Sequence, residues 1–399
     1  MSSILKTGDL IRSIKRRAFI PSSQETFTEE ELLMMATEEV NIGLVPLIQK
    51  MHEEHLVHYI DVPLIRDVTK YAIPPRAHGN KLRDVALIDE NGNIFEMHRY
   101  SLNEISDFTN TTTYINNRGF YLENNNVVLS NFDILPGMDL RFYFYMRPNH
   151  LVLESKGATI NSIFETIEID QINPKTGIFS NITSGEKTTI TSSNHGLDNG
   201  QLVQISGSNT TPSIDGFHEI SYIDANNFSI SFTTSAVGSF SGVFNAALEV
   251  KKLTLSQMPT EFLDNSFFDF IQNTSPNKIL HYDVRFNSIN QTANQISFVA
   301  EQVPDIAVGS YINLVEESFV PNIPTELHPI LAQRVAVSCL EAMGDEQNKQ
   351  SAERKLANME RDAGTFLDNR VEGASQKIKS RHSPLVNTLN TLGRRNRRW

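Results

Sequence analysis

The sequence predicts an α+β fold, with a helical bundle from the N- and C-terminal segments and a central antiparallel β region that carries an inserted small β-sandwich or barrel domain. Three observations support this prediction. Apolar residues recur at helical spacing near both ends of the chain, and runs of alternating apolar and polar residues fill its middle. A block from about Glu186 to Val243 has short alternating runs, Gly/Asn/Asp turns and almost no charge. Such a block is typical of a domain added for adhesion or spacing, which favours a structural or assembly protein over an enzyme.

These changes of pattern divide the chain of 399 residues into successive segments. The length suffices for two or three domains. In chain order we expect a helical segment at 1–80, a β-rich core at 81–175, the inserted β domain at 176–245, the continued β-rich core at 246–323, a helix pair at 324–375 and a basic extended tail at 376–399.

The N-terminal segment is predicted to be helical. Residues 7–17 have the apolar spacing of a short amphipathic helix. Thr28 and Glu31 form a capping box that starts the next helix. Its apolar period continues past Pro46, where the helix is expected to bend or divide, and ends before Pro63.

The period changes to that of strands from Leu82 onwards. Asn91-Gly92 is a two-residue hairpin turn between alternating runs. Ser101 and Glu104 are expected to cap a short helix. A second turn at 123–126 separates two further strands, and a bulky strand follows Pro136-Gly137. In the inserted block the predicted strands are Thr188–Thr191, Leu202–Ile205, His218–Tyr222 and Phe228–Phe232.

The C-terminal helix pair is predicted from caps and spacing. Thr325 is expected to cap the first helix and Gly344 to end it. The second helix runs from about Glu346 to Val371. Apolar residues in it alternate at spacings of four and three, as in a coiled coil, and we expect this stripe to pack against a neighbouring helix, of the same chain or of a copy in a ring. The stripe comprises Ala352 and the four predicted ring-packing residues Leu356, Met359, Ala363 and Phe366.

The charge distribution is uneven. The net charge of −12 and pI near 5.4 argue against general nucleic-acid binding by the body of the protein, although both ends of the chain are basic. We find no signal peptide and no apolar run long enough to span a bilayer, so no membrane partner is expected and assembly is expected in the cytoplasm. The single cysteine, Cys339, has apolar neighbours at helical spacing, which favours a small buried residue over a nucleophile.

The sequence contains no complete catalytic motif, so we predict that the protein is not an enzyme. His52-Glu53-Glu54-His55 lacks the second histidine at the fourth position that a zinc protease needs, so a solvated helix face is favoured over a metal site. The sequence has neither a phosphate-binding loop nor a nucleophile elbow. We therefore predict no catalytic residue, no metal and no cofactor.

The C-terminal tail is the sharpest local feature of the sequence. Four arginines and the only tryptophan close the chain, namely Arg394, Arg395, Arg397, Arg398 and Trp399. We expect them to dock on a partner protein, with Trp399 as anchor. Two alternatives stay open, which are contact with nucleic acid through the guanidinium groups and no role at all.

Two parts of the sequence resemble proteins of tailed bacteriophages. The helical ends TEEELLMMATEEVNIGLVPLIQKMHEEHLVHYIDVPL and PTELHPILAQRVAVSCLEAMGDEQNKQSAERKLANM resemble head–tail connector (tail adaptor) proteins. The inserted block is similar to a repeat of phage tail and structural proteins. The matching residues are His195-Gly196-Leu197, Val203–Gly207 and Asn226-Asn227-Phe228. The chain is longer than simple adaptors, and its β region is larger.

The resemblance implies a function in the neck or tail of a virion. It implies a homo-oligomeric ring, typically of twelve copies, between the portal protein and a tail nozzle or tail tube protein, with tail fibres as further candidate partners. DNA would pass through the channel without specific binding, and the C-terminal extension would dock into the portal.

The sequence is compatible with three other functions. The first alternative is a tail tip, nozzle or baseplate component whose β insert binds fibres or glycans, because the insert is rich in Asn, Ser and Thr. A cell-wall hydrolase with a binding module has no supporting motif. A transcription regulator would account for the basic ends, but the sequence shows no helix-turn-helix pattern.

Overall fold

The architecture is taken from a computed structural model that describes residues 6–21, 26–51, 53–101, 119–130, 137–183, 185, 187–235, 240–263 and 265–366. Strands account for 41% and helices for 24% of the structure, whose central element is a closed six-stranded β-barrel. The predicted α+β fold based on a helical bundle is therefore wrong. Three long strands, Gly157–Ile169, Gly242–Leu255 and Ile279–Asn290, form much of the framework, whereas the helices form a smaller cluster.

The helical cluster joins the two ends of the described chain. Its members are α1 Thr7–Arg17, α2 Glu29–Glu39, α3 Val45–Met51, α4 His328–Ala342 and α5 Glu346–Phe366, with a π-helical turn at Val40–Leu44 between α2 and α3. Helix α4 lies at the centre and contacts α1, α2 and α5. Because it is surrounded, both Leu331 and Val335 are fully buried.

The helix starts follow local chemistry in one case and tertiary contacts in another. The capping box at Thr28 and Glu31 is confirmed, since the Thr28 hydroxyl accepts from the Glu31 amide and the Glu31 carboxylate accepts from the Thr28 amide. The predicted Thr325 cap is wrong. Helix α4 begins three residues later, at His328, because a 3-10 turn intervenes and the Thr325 hydroxyl lies 3.3 Å from Ser275 Oγ.

The segment before Pro63 is a strand, although its spacing predicts a helix. Strand β1, Val57–Pro63, pairs along its whole length with β8, Met138–Met146. Asp61 faces Arg141 in this register, and two hydrogen bonds of 2.7 Å join the carboxylate to the guanidinium group. Long-range pairing of β-branched and aromatic residues thus overrides the local helical period.

Two four-stranded sheets follow the helices. The remaining strands of this region are β2 Lys70–Ala72, β3 Ala77–Asp89, β4 Ile94–Glu96, β5 His98–Arg99, β6 Gly119–Glu123 and β7 Asn126–Ser130. Their orders are β1-β8-β3-β4 and β2-β7-β6-β5. The predicted hairpin around Asn91-Gly92 is confirmed by the β3–β4 pairing, with Gly92 at a φ of +80°. Its turn is longer than the predicted two residues, because β3 ends at Asp89 and β4 begins at Ile94. Of the predicted helix at Ser101 and Glu104, all but Ser101 lies outside the described residues.

The large barrel closes without a free edge. Its strands are β10 Gly157–Ile169, β17 Gly242–Leu255, β18 Phe267–Ile271, β19 Ile279–Asn290, β20 Gln295–Val299 and β21 Tyr311–Leu314. The order β10-β21-β18-β19-β20-β17 returns to β10 through a β10–β17 pairing, and every neighbouring pair is antiparallel. Phenylalanines Phe268, Phe270 and Phe298 fill its interior. Beside it, β9 His150–Leu151 and β22 Glu317–Ser318 pair in parallel.

The inserted block forms a second ring of strands with its own core. It contains β11 Thr176–Phe179, β12 Asn181–Thr183, β13 Thr188–Thr191, β14 Leu202–Ser206, β15 Gly216–Asp224 and β16 Asn227–Ile230. The pairings run β17-β14-β15-β16-β13-β12. Strand β11 directly precedes β12 in the chain and pairs with β17, and this pairing completes the ring. Phe179, Phe228 and Phe244 are fully buried at its centre. Strand β17 belongs to both rings, so this small barrel continues directly into the large one.

Candidate functional site

The predicted docking residues of the tail, Arg394 to Trp399, lie outside the described residues. Three of the four predicted ring-packing residues are described, and they pack inside their own chain. Ala363 is buried in the helical core, and Leu356 and Met359 contact that core. The side chain of Phe366 is outside the description. Packing of this helix between copies therefore stays a prediction.

Arg334 of α4 holds the helices of the cluster together. One guanidinium nitrogen lies 3.1 Å from the Glu39 carboxylate at the end of α2, and the other lies 2.5 Å from Glu360 of α5. These ion pairs join three helices through one half-buried cation. These ion pairs hold α5 against α4 and the end of α2.

The histidine-rich segment does not form a helix face. Glu53 and His55 belong to a 3-10 turn directly before β1, and His52 is outside the description. The Glu53 carboxylate accepts hydrogen bonds from Arg83 and from the Tyr145 hydroxyl, the latter at 2.6 Å. This carboxylate therefore links the turn to the sheet. Within the described ranges, no group of three or more His, Cys, Asp or Glu side chains is placed to hold a metal ion.

Cys339 is a buried core residue, as the sequence predicts. It lies on α4 with no exposed surface. Burial raises the pKa of its thiol to about 11, because the thiolate would lose its hydration. The thiol therefore stays protonated at neutral pH and has little nucleophilic character.

An apolar groove lies between α2 and β9. It has a volume of about 550 Å3 and is lined mainly by Leu33, Met34, Thr37, Ile42, Leu151, Val152 and Leu153. The Thr37 hydroxyl connects α2 to β9 at the base of the groove, because it donates to the Leu33 carbonyl and accepts from the Leu151 amide, each at 2.9 Å. Met34 and Ile42 are 69% and 70% exposed, so two large apolar side chains face solvent at the groove.

Two carboxylates border this groove. Glu30 and Glu38 of α2 both belong to its lining, and neither forms an ion pair with another described residue. The other glutamates of this helix differ, since Glu31 completes the capping box and Glu39 pairs with Arg334. His150 and Lys156 are the basic groups of the lining. The groove is thus apolar along its floor and acidic along the helix.

A basic pocket lies between the end of α1 and α5. Its volume is about 470 Å3, and Arg16, Arg17 and Lys355 supply its charges. Arg17 donates a hydrogen bond of 2.8 Å to Gln333, and burial together with the neighbouring Arg16 lowers its pKa. Phe19, which is 72% exposed, completes the wall. The basic N-terminal stretch seen in the sequence therefore lies beside the helix from which the basic tail continues.

The repeat motif of the insert builds its fold. The ring of His195 is buried and packs edge-on against Phe228 at a centroid distance of 5.2 Å. Its Nδ1 accepts from the Leu197 amide at 3.0 Å, and its Nε2 donates to the Asp224 carbonyl at 2.7 Å. The motif histidine thus joins two turns, and its hydrogen bonds stabilise the fold of the insert.

The outer face of the small barrel presents apolar side chains. Ile178 and Val243 face each other across the β11–β17 pair. Phe217 of β15 lies on the same face, because it is opposite Gln204 of β14, which in turn is opposite Asn245 of β17. The exposed fractions of Ile178, Val243 and Phe217 are 73%, 38% and 42%. Between them lie uncharged polar residues such as Gln204 and Asn245.

Neither the groove nor this face is predicted in the sequence analysis. The one local indication of the groove is the run Leu32 to Ala36, in which apolar residues continue around α2 beyond a single buried face. The outer face of the barrel depends on register between distant strands, which no local pattern reports.

No protein-family model and no curated protein matches the chain. No helix in the described part of the chain has both the length and the apolar character needed to cross a bilayer.

Proposed function

We propose that this protein is a structural component of a bacteriophage virion, a head–tail connector that joins the portal to the tail and forms part of the channel for DNA ejection. The proposal starts from the resemblance of the helical ends and of the insert to phage proteins. It assigns the chain no catalytic role and no cofactor.

The observation that carries the proposal is the serial arrangement of four cores. The helical core includes Tyr145 and Leu151, which lie on the strands leading into the sheets. The core of the sheets includes Ile271 and Ile279 from strands of the large barrel. The large barrel continues into the small barrel through β17. Such a body has two chemically different ends, which suits a protein that joins two partners.

The helical end is suited to the portal. Helices from both chain ends pack around α4, and the basic tail continues from α5. The last 33 residues contain eight Lys or Arg and two Asp or Glu. Arg16, Arg17 and Lys355 add a basic pocket at this end. An acidic surface of a portal would meet complementary charge here.

The small barrel is suited to a second partner. Its outer face combines exposed Ile178, Phe217 and Val243 with uncharged polar side chains. Few charged groups need to be desolvated when such a face is covered. The same observation favours the second candidate function, a tail tip, nozzle or baseplate component whose insert binds a fibre or a glycan.

The overall charge agrees with passage of DNA. The chain carries a net charge of −12, so a channel lined by its body would repel phosphates and avoid long-lived contacts. Twelve copies in a ring, with the portal on one side and a tail nozzle or tube protein on the other, complete the proposal. Its location is the neck or tail of a virion assembled in the host cytoplasm.

Separate variants of the two ends test this proposal. Replacing Arg395, Arg397 and Arg398 by Ala is expected to abolish co-sedimentation with purified portal protein. The double variant Ile178→Asp/Phe217→Asp is expected to bind portal normally and to lose its tail-side partner. Loss of portal binding in the barrel variant but not in the tail variant would contradict the assignment of the two ends. Retention of glycan binding by a full chain that ignores portal would favour the second function.

A further inference from the structure

We infer that the apolar groove between α2 and β9 binds the C-terminal segment 381–394 of the same chain. The groove exposes apolar surface to solvent. Met34 and Ile42 belong to the lining of this cavity of about 550 Å3 and expose most of their surface. A contiguous exposed apolar groove is typical of a binding site.

The occupant must match both the floor and the rim of the groove. Leu33, Leu151 and Val152 line the floor and require apolar side chains. Glu30 and Glu38 lie eight residues apart on α2, so their Cα atoms are separated by about 12 Å along the helix axis. A complementary segment therefore carries apolar residues in its middle and cations on both sides.

The C-terminal segment has this composition. Leu385, Leu389 and Leu392 follow one another at spacings of four and three, which places three leucines on one side of a helix. Arg381 precedes them and Arg394 follows them. An amphipathic helix that lays its apolar side into a groove is a recurrent mode of peptide recognition. Lys156 also lines the groove, and its charge favours an approach in which the cations lie along α2.

The start of the tail is close enough for docking within one chain. The described part of α5 reaches Phe366, and its Ala363 belongs to the same buried core as Leu33 of α2. The 18 residues between Phe366 and Leu385 span up to about 60 Å when extended, which exceeds the distance across a small helical cluster. A tethered segment has an effective concentration in the millimolar range, so the chain's own tail competes well against other occupants.

Docking of this segment leaves the last residues beyond the groove. Arg395 to Trp399 would follow the docked leucines and stay available to another partner. The inference therefore does not depend on the ring or on the portal, and it can be tested on the isolated full-length chain.

Disulfide trapping in the full-length protein tests the inference. The double variant Met34→Cys/Leu389→Cys is oxidised at low protein concentration and resolved on a non-reducing gel, with peptide mapping of the linked pair. The native Cys339 is buried and does not compete. We expect an intrachain disulfide that forms about tenfold faster than in the control Phe19→Cys/Leu389→Cys, whose first cysteine is exposed on α1's side of the cluster.

Two outcomes of the trapping experiment would contradict docking of the tail in the groove. A disulfide between two chains would overturn it in favour of a second copy as the occupant. Equal rates in the two double variants would also overturn it, since random collision then explains the bond.

A charge exchange provides an independent measurement. Glu38→Arg is expected to slow trapping about two- to fivefold, because one exposed ion pair is lost and a like charge is introduced. Adding Arg394→Glu or Arg381→Glu to that variant is expected to restore the rate, according to which of the two cations lies beside position 38. Because Trp399 is the only tryptophan, its fluorescence anisotropy reports release of the tail in Leu389→Asp. A rate that ignores both charge changes, together with unchanged anisotropy in Leu389→Asp, would contradict docking of this segment.

Discussion

Arg76 and Asp269 form a buried ion pair that joins the sheets to the large barrel. The guanidinium Nη2 lies 2.5 Å from Asp269 Oδ2, and the two side chains are 3% and 0% exposed. Asn149 bridges them, since its amide donates to Asp269 at 2.7 Å while its carbonyl accepts from Arg76 at 2.8 Å. Asp283 and Glu316 lie within 4 Å of the same guanidinium group. Elements 193 residues apart are thereby held in one arrangement.

Removing one partner of this pair should be costly. Asp269→Ala leaves the Arg76 charge buried beside weaker partners, and we expect a loss of about 3–5 kcal/mol in the free energy of unfolding. The double variant Arg76→Met/Asp269→Leu should cost less than the two single changes together. The control is Asp61→Ala at the more exposed Arg141 pair, expected to cost about 1 kcal/mol. Equal losses at Asp269 and Asp61, measured by urea unfolding, would contradict a buried network that holds the domains.

The capping box at Thr28 should stabilise α2 locally. Thr28→Ala removes the acceptor for the Glu31 amide, with an expected loss of about 1 kcal/mol in the opening free energy of the first turn. Amide hydrogen exchange at residues 29–33 measures this loss. Thr325→Ala is the matched control, because the Thr325 side chain caps no helix. A similar loss of protection at the start of α4 in that control would contradict the assignment of caps.

His328 should make the helical cluster sensitive to acid. The residue is 1% exposed at the start of α4, and burial lowers its pKa to about 4. The unfolded chain has the ordinary value near 6.5, so it binds more protons than the folded chain between about pH 4 and 6.5. The stability that neutral His328 contributes is therefore complete above about pH 6.5 and is lost as the pH falls towards 4.

The change His328→Gln should remove this pH dependence while keeping a donor for the Ile323 carbonyl. The unfolding midpoint, followed from pH 7 to pH 4.5, should then fall less steeply than in the natural protein. The control is His98→Gln, since His98 is exposed on β5. A variant whose slope equals that of the natural protein would show that His328 does not govern the response.

The small barrel should unfold separately from the large one. Phe228→Ala leaves a cavity in its core, which is expected to cost about 3–5 kcal/mol. Amides of β13 to β16 should lose protection in hydrogen exchange, while those of β18 to β20 keep it, because the large barrel has its own core. The control is Phe217→Ala on the outer face, which should leave both patterns unchanged. Uniform loss of protection across both barrels would show a single cooperative unit.

The sequence reported those features whose partners lie close in the chain. Thr28 and Glu31 are three residues apart, and the hairpin at Asn91-Gly92 joins neighbouring strands, so both were predictable. Strand β1 was not, because its helical spacing is local whereas its pairing with Arg141 is distant. The Arg76 pair spans 193 residues, and the strand Gly157–Ile169 depends on β17 for its pairing. The predicted helical bundle failed for this reason, since barrel closure is entirely long-range.

The candidate sites divide in the same way. Burial of Cys339 followed from its apolar neighbours, and the basic N-terminal stretch was visible as a run of charges. The groove beside Met34 needs β9, which lies more than 100 residues further along the chain, so its shape could not be foreseen. Leu33 of α2 and Ala363 of α5 belong to one core although they are 330 residues apart, so only the fold joins them.

The mass of the full-length protein mixed with purified portal protein tests the central claim most directly. We predict a complex that contains about twelve copies of the 45.0 kDa chain, or about 540 kDa besides the portal, and we predict its loss when residues 381–399 are removed. A chain that stays at 45.0 kDa in the presence of portal would contradict the connector function.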